Sequence, residues 1–346
     1  MSLHTVARAR PHVQTDRLNG RRTVTQAIRP PRGSPESSDL RPRVFRGSFR
    51  LAAWAAGLLV AWAALRSASP RVLARLFRIP HVPTGVTPAE VGLEAEDVTI
   101  TGPRGRQLRA WFVAASAAGR QPAALVLHGW TGSASLMLPL ARPLLAAGLH
   151  VLMLDARCHG RSDDDAFSSM PDFAADAERA LAWLRTHPRV DPERIALVGH
   201  SVGAGACLMV ADRDPRIAAV VSISSMADPA EFMGEAMRRH AVPGFIVWFA
   251  LHEIQRALGQ RFTDFAPLVT IARLRVPVLL IHGDADPVVP LADAEALRAV
   301  APAGTDLLVI PGADHSAVDR FLTVAPAVTA FLQRALQHTS DVVGSS

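Results

Sequence analysis

The chain has 346 residues, 49% of them hydrophobic, and a formal net charge of +6. That length fits one large α/β domain or two small ones, with enough apolar residues for a sizeable core. Its two cysteines, Cys158 and Cys207, exclude a disulfide scaffold, lack zinc-ligand spacing and read as small buried hydrophobes.

The charge is uneven along the chain. Residues 1–50 hold eleven Arg against Asp16, Glu36 and Asp39, a balance of +8 that leaves −2 for the remaining 296 residues. All 37 basic residues are Arg, a bias we assign to genome composition rather than chemistry. Residues 1–48 mix Pro, Ser and Gly without periodicity and are expected to form a disordered basic tail. The tail lacks interleaved aromatics and any recognisable module, so no nucleic-acid partner is expected.

Residues 51–65 read LAAWAAGLLVAWAAL, bracketed by Arg50 and Arg66. As a helix this run covers about 22 Å, against a hydrocarbon core of roughly 30 Å. Snorkelling by the flanking arginines, and extension through Ser67 and Ser69, would close much of the gap. The expectation is a membrane-anchor helix over 49–69, with a buried helix packed on the domain as the alternative. A cleaved signal peptide fits poorly, because the basic region ahead of the run is too long and Pro70 follows the small-residue site. A linker over 70–94 follows, and its RVLARLFR stretch at 71–78 has the character of a basic amphipathic surface segment. Arginine density is similar on both flanks, so the side of the membrane stays open. The heavier amino-terminal total leans toward a cytoplasmic tail with an external domain; a wholly cytoplasmic location is the alternative.

From about residue 95 the pattern changes, and a single α/β domain is expected over 95–338. Strand candidates lie at 97–101, 108–114, 124–128, 150–155, 195–199, 218–224, 278–282 and 306–310. Several are solid Val/Leu/Ile runs, as strands buried on both faces should be. Helical stretches fall between them at 134–147, 172–186, 202–213, 291–300 and 318–337. In the second, Phe173, Ala177, Ala180, Leu181 and Leu184 share one face. Alternating strands and helices predict an eight-stranded, mostly parallel sheet covered on both sides. An insertion at 226–274 holds two further helical patterns, 229–240 and 244–258, and is expected to form a small helical lid. The alternative is extra core packing. Residues 339–346 are expected to be a disordered tail.

Gly199-His200-Ser201-Val202-Gly203 sits between a predicted strand and a predicted helix. This is the context a G-x-S-x-G motif requires before it signals a nucleophile. Glycines on either side relieve crowding at a strained elbow, and the helix amino terminus behind it favours an anion. A serine hydroxyl needs a base, and the base an orienting carboxylate. Two later strand ends supply both: Gly283-Asp284-Ala285-Asp286-Pro287 and Gly312-Ala313-Asp314-His315-Ser316.

Elbow, acid loop and histidine loop, in the order Ser, Asp, His, resemble the α/β-hydrolase superfamily over residues 95–335. The branch most similar holds esterases, monoacylglycerol-lipase-like enzymes and serine-aminopeptidase-like proteins. The resemblance implies Ser201 as nucleophile, His315 as base and Asp286 as the acid, with Asp284 shaping the turn and Asp228 in reserve. His128-Gly129-Trp130-Thr131-Gly132 resembles the oxyanion loop, which implies the amides of Trp130 and Val202 as its donors. The Trp130 side chain is an alternative pocket wall. Residues 155–162, DARCHGRS, resemble the family's structural turn, so His128 and His159 are expected to be scaffolding rather than metal ligands. The expected activity is ester hydrolysis through an acyl-enzyme, without metal or cofactor, on a small-molecule ester with a hydrophobic acyl group. The alternatives are an aminopeptidase or amidase with the same triad, and a non-catalytic, membrane-tethered binding protein.

Overall fold

Eight strands form one sheet in the computed structural model, which describes Ser67, residues 85–316 and residues 320–343. The basic tail at 1–48, the run at 51–65 and residues 70–84 of the linker lie outside the described residues. Among the described residues no helix is long and apolar enough to cross a membrane.

The strands are β1 (Glu96–Thr101), β2 (Gln107–Val113), β3 (Gln121–Leu127), β4 (His150–Asp155), β5 (Val190–His200), β6 (Ile217–Ile223), β7 (Val278–Gly283) and β8 (Asp306–Ile310). Their spatial order is β1-β2-β4-β3-β5-β6-β7-β8. The pairs β1–β2 and β2–β4 are antiparallel and every other pair is parallel. All eight strands stand where the sequence pattern puts them, with shifts at their ends.

The helices in chain order are α1 (Ala141–Ala146), α2 (Met170–Thr186), α3 (Val202–Arg213), α4 (Pro229–Arg239), α5 (Gly244–Leu258), α6 (Phe262–Phe265), α7 (Pro267–Ile271), α8 (Leu291–Val300) and α9 (Ala325–Val343). Three expectations need correction. The helix expected at 318–337 is a 3-10 segment, Arg320–Val324, followed by α9. The helix expected at 134–147 is a 3-10 segment, Ala134–Leu140, followed by the short α1. Pro139 lies inside it, and a proline ring removes one helical donor and crowds the preceding turn. The tail expected from 339 is instead helical as far as Val343, because the first glycine after Gly312 is Gly344 and no proline intervenes after Pro326.

Strand alternation divides the core into two apolar layers. From β3, Ala123, Leu125 and Leu127 pack with the Phe173, Ala177 and Leu181 face of α2. Ala124 and Val126 point the other way, toward Leu144 of α1 and Leu332 of α9. Phe173 is fully buried; its truncation to Ala would cost about 3–5 kcal/mol.

Both neighbours of β3 run parallel to it: the chain goes first to β4 on one side, then to β5 on the other. The sequence order thus reverses at β3 and β5, and a crevice opens beyond their carboxyl ends. Four helices, α4 to α7, occupy the insertion between β6 and β7, and α4, α5 and α6 line the cavity over that crevice.

Candidate active site

At the end of β5 the backbone turns sharply. Ser201 has φ 54° and ψ −119°, a sparsely populated conformation, and α3 starts at the next residue. Such strain costs of order 1–3 kcal/mol and persists only where its surroundings hold it. Here the Ser201 amide donates to the Ile223 carbonyl at 2.8 Å, and its own carbonyl accepts from Ala204 and Gly205 at 3.0 and 3.2 Å. The flanking glycines are needed for space. A Cβ at Gly199 would lie 2.4 Å from the Gly203 carbonyl oxygen, and one at Gly203 would lie 2.4 Å from the His128 carbonyl oxygen.

His315 comes from the loop after β8. Its Nε2 lies 3.0 Å from Ser201 Oγ, and its Nδ1 lies 2.7 Å from Asp286 Oδ2. The other Asp286 oxygen accepts from the amides of Val288 and Val289 at 2.8 and 2.9 Å. Burial pushes the Asp286 carboxyl up, but the His315 hydrogen bond and the two amides outweigh it and hold the group below the usual aspartate range. Asp284 ties the two loops together by accepting from the Gly312 amide at 2.6 Å. Asp228 caps α4 by accepting from Ala230 and Glu231. The structure therefore brings Ser201, His315 and Asp286 together, and puts Asp284 and Asp228 to local uses.

Two histidines escaped the sequence reading. His200 donates from Nε2 to the His315 carbonyl at 2.8 Å, and so fixes the backbone that carries the imidazole. His282 donates from Nε2 to the Val289 carbonyl at 2.9 Å, bracing the turn whose amides hold Asp286. Burial, with the nearby His315, pushes His200 down to about 4, so it is neutral near pH 7. His200 lies inside the quoted elbow motif and His282 directly precedes the quoted acid loop, both at strand ends. Sequence alone gives no distance from those positions to 315 or 289.

The loop after β3 packs against the elbow. A Cβ at Gly129 would lie 3.0 Å from Ser201 Cβ. Among the described residues, the amides of Trp130 and Val202 have no acceptor. The Trp130 side chain lines the cavity above Ser201 and meets the His159 ring edge-on at 5.7 Å. His128 accepts from the Ala156 amide through Nε2 at 3.1 Å and donates from Nδ1 to the Gly129 carbonyl at 2.7 Å. Burial drives its pKa down to about 4. His159 donates from Nδ1 to the Arg157 carbonyl at 2.8 Å.

Beneath them, the fully buried Arg157 pairs with the fully buried Asp176 at 2.6 Å and with Asp172 at 2.8 Å, anchoring the DARCHGRS turn to α2. Cys158 takes a left-handed backbone with φ 63°, and its sulfur accepts from the Asp165 amide at 3.1 Å.

A cavity of about 1010 Å³ opens over Ser201. Met170, Met226, Phe232, Met233, Ile254 and Phe262 give it an apolar wall. No Asp, Glu or Arg side chain is among the described residues that line it.

Residues 124–330 match the sequence profile described as the alpha/beta hydrolase family. An uncharacterized protein of Mycobacterium tuberculosis is 30% identical over 262 residues, which cover 72% of this chain and 86% of that one. The thiohydrolase apmlB of Arthrinium phaeospermum is 37% identical over 138 residues, 39% of this chain and 44% of its own. Among solved structures, a Pyrococcus furiosus esterase superposes with a TM-score of 0.60 at 24% identity, covering 75% of this chain and 97% of the other. By its profile match, and by a sheet whose strand ends carry the elbow, the acid loop and the histidine loop, the chain belongs to the alpha/beta hydrolase family.

Proposed function

We propose that the protein is a serine hydrolase that cleaves carboxylic esters with apolar acyl groups. The observation that carries this reading is the continuous chain of contacts from Asp286 through His315 to Ser201, 2.7 and 3.0 Å, opening into an apolar cavity. His315 Nε2 takes the Ser201 proton as Oγ bonds to the ester carbonyl carbon. The carbonyl oxygen becomes an oxyanion held by the amides of Trp130 and Val202. Each such donor contributes roughly 2.7–4 kcal/mol of transition-state stabilisation. The carbon–alkoxy bond then breaks, and Nε2 returns the proton to the leaving alcohol. Water repeats the sequence on the acyl-enzyme and frees the acid and Ser201. Asp286 keeps the imidazole proton on Nδ1 throughout, so that Nε2 is free to accept.

The cavity lining favours an ester over an aminoacyl substrate. An aminopeptidase must receive an α-ammonium group, and an uncharged, apolar wall offers it no carboxylate. A thioester reading also stays in view, because a relative named a thiohydrolase shares part of the chain. The run at 51–65 would tether the enzyme to a membrane. Rates with p-nitrophenyl esters, acyl thioesters and aminoacyl-anilides, each against Ser201→Ala, test the reading. The expected result is turnover of esters ahead of anilides, lost in the variant. Faster anilide cleavage, or ester cleavage that survives the substitution, would overturn it.

A further inference from the structure

Phe245, Ile246 and Trp248 are 75%, 43% and 68% exposed, and all three lie in the first turns of α5. On the other side of the same helix Val247 and Ile254 are buried, and Ile254, Ala257 and Leu258 line the cavity. A helix apolar on both sides needs a second apolar surface. The Trp248 ring stacks on His252 at 5.6 Å, giving the patch the apolar body and polar edge typical of a bilayer interface. The turn that leads into α5 follows Arg238 and Arg239; Arg239 pairs with Glu235 at 2.7 Å, and Arg238 places a cationic group beside the patch. A second copy of the chain would set two such arginine-bearing turns against each other. An anionic lipid surface would complement them.

The chain itself points the same way. Gly85 and Val86 line the cavity, and Val86 is 49% exposed at its rim. Ser135 Oγ donates to the Val86 carbonyl at 2.6 Å and ties this segment to the cavity wall. The apolar run at 51–65 lies twenty residues earlier in the sequence, a reach of at most about 70 Å. Chain arriving from that run therefore joins the domain beside the cavity opening.

We infer that the first turns of α5 rest on a lipid bilayer, with Phe245, Ile246 and Trp248 in the interfacial layer and Arg238 beside anionic headgroups. The substrate then enters from the bilayer, as an uncharged lipid-borne ester, into the cavity that α5 covers. The substrate route rests on the hydrolase reading above; the bilayer contact does not.

The test uses the full chain in vesicles of equal parts phosphatidylcholine and phosphatidylglycerol, with and without brominated acyl chains. Tryptophan quenching is compared between the protein and its Trp248→Phe variant. The expected result is a bromine-quenched component that disappears with Trp248 and persists in Ser201→Ala. A Trp248 component untouched by bromine overturns the bilayer contact, whether water or a second copy covers the patch. The route is read separately with Phe245→Ser/Trp248→Ser. Turnover of a vesicle-borne long-chain ester should fall about tenfold or more, as loss of two buried aromatic anchors implies, while a soluble short-chain ester is cleaved as before. Equal rates on the vesicle-borne ester, or equal losses on both esters, overturn the route. Loss of all turnover in Ser201→Ala with quenching intact keeps the hydrolase reading and the bilayer contact distinguishable.

Discussion

Replacing Asp286 by Asn asks whether that carboxylate sets the tautomer of His315. In the native site one oxygen takes the His315 Nδ1 proton and the other takes two backbone amides. Asparagine has one oxygen to offer. With that oxygen toward Val288 and Val289, both amide bonds survive, and the side-chain NH2 faces His315 Nδ1. Flipped, the oxygen serves His315 but the NH2 confronts two N–H donors. The Val288 amide is at an exposed site where water can serve it, whereas leaving the part-buried Val289 donor unpaired costs about 1–3 kcal/mol, so the first arrangement wins by about that amount. Nδ1 must then accept, the proton moves to Nε2, and Nε2 can no longer take the Ser201 proton. Loss of the correct tautomer in such a triad lowers kcat about 10⁴-fold, or about 5 kcal/mol. Asp286 does not line the cavity, so KM should change little. Steady-state kinetics on a p-nitrophenyl ester, with Tm measured alongside, read both values. A loss of only tenfold at unchanged Tm would refute the reasoning.

Three further outcomes follow from the same geometry. Asp176→Asn leaves the fully buried Arg157 with Asp172 at 2.8 Å and Asp165 at 3.7 Å; breaking such a pair costs about 3–5 kcal/mol, and a calorimetric Tm close to the native one would contradict it. His128 and His200 are held at about 4 in the fold, against an ordinary 6.5. Their folded values are depressed, so their contribution is complete above pH 6.5 and is lost as pH falls through about 4, roughly 3 kcal/mol for each group. Urea midpoints should drop across that window, less steeply in His128→Asn; equal slopes would remove His128 from the account. The depressed Asp286 carboxyl acts lower down, losing its contribution as pH falls below the ordinary aspartate value of 3.8.

The fold was legible because buried parallel strands leave unmixed apolar runs. Runs such as Val-Leu-Met-Leu in β4 and Val-Leu-Leu-Ile in β7 mark two of them. The candidate site was legible where its residues lie in local motifs, as do Ser201, Asp286 and His315, whose side chains the structure brings into contact. The bracing contacts were not. His200 meets 315 across 115 positions, and Arg157 finds Asp176 on a helix whose face toward it is fixed only by packing. The 3-10 segment at Ala134–Leu140 was missed because apolar periodicity outweighed Pro139 in the sequence reading. The sequence places α5 in the lid expected at 226–274 but does not show that one apolar side faces outward, since periodicity reports hydrophobicity and not what covers it.

The most direct measurement treats the full chain and its Ser201→Ala variant with a fluorophosphonate and maps the adduct by mass spectrometry. The account predicts one phosphonylated residue, Ser201, and no adduct in the variant. An adduct that forms equally in Ser201→Ala, or that sits on another side chain, would contradict it.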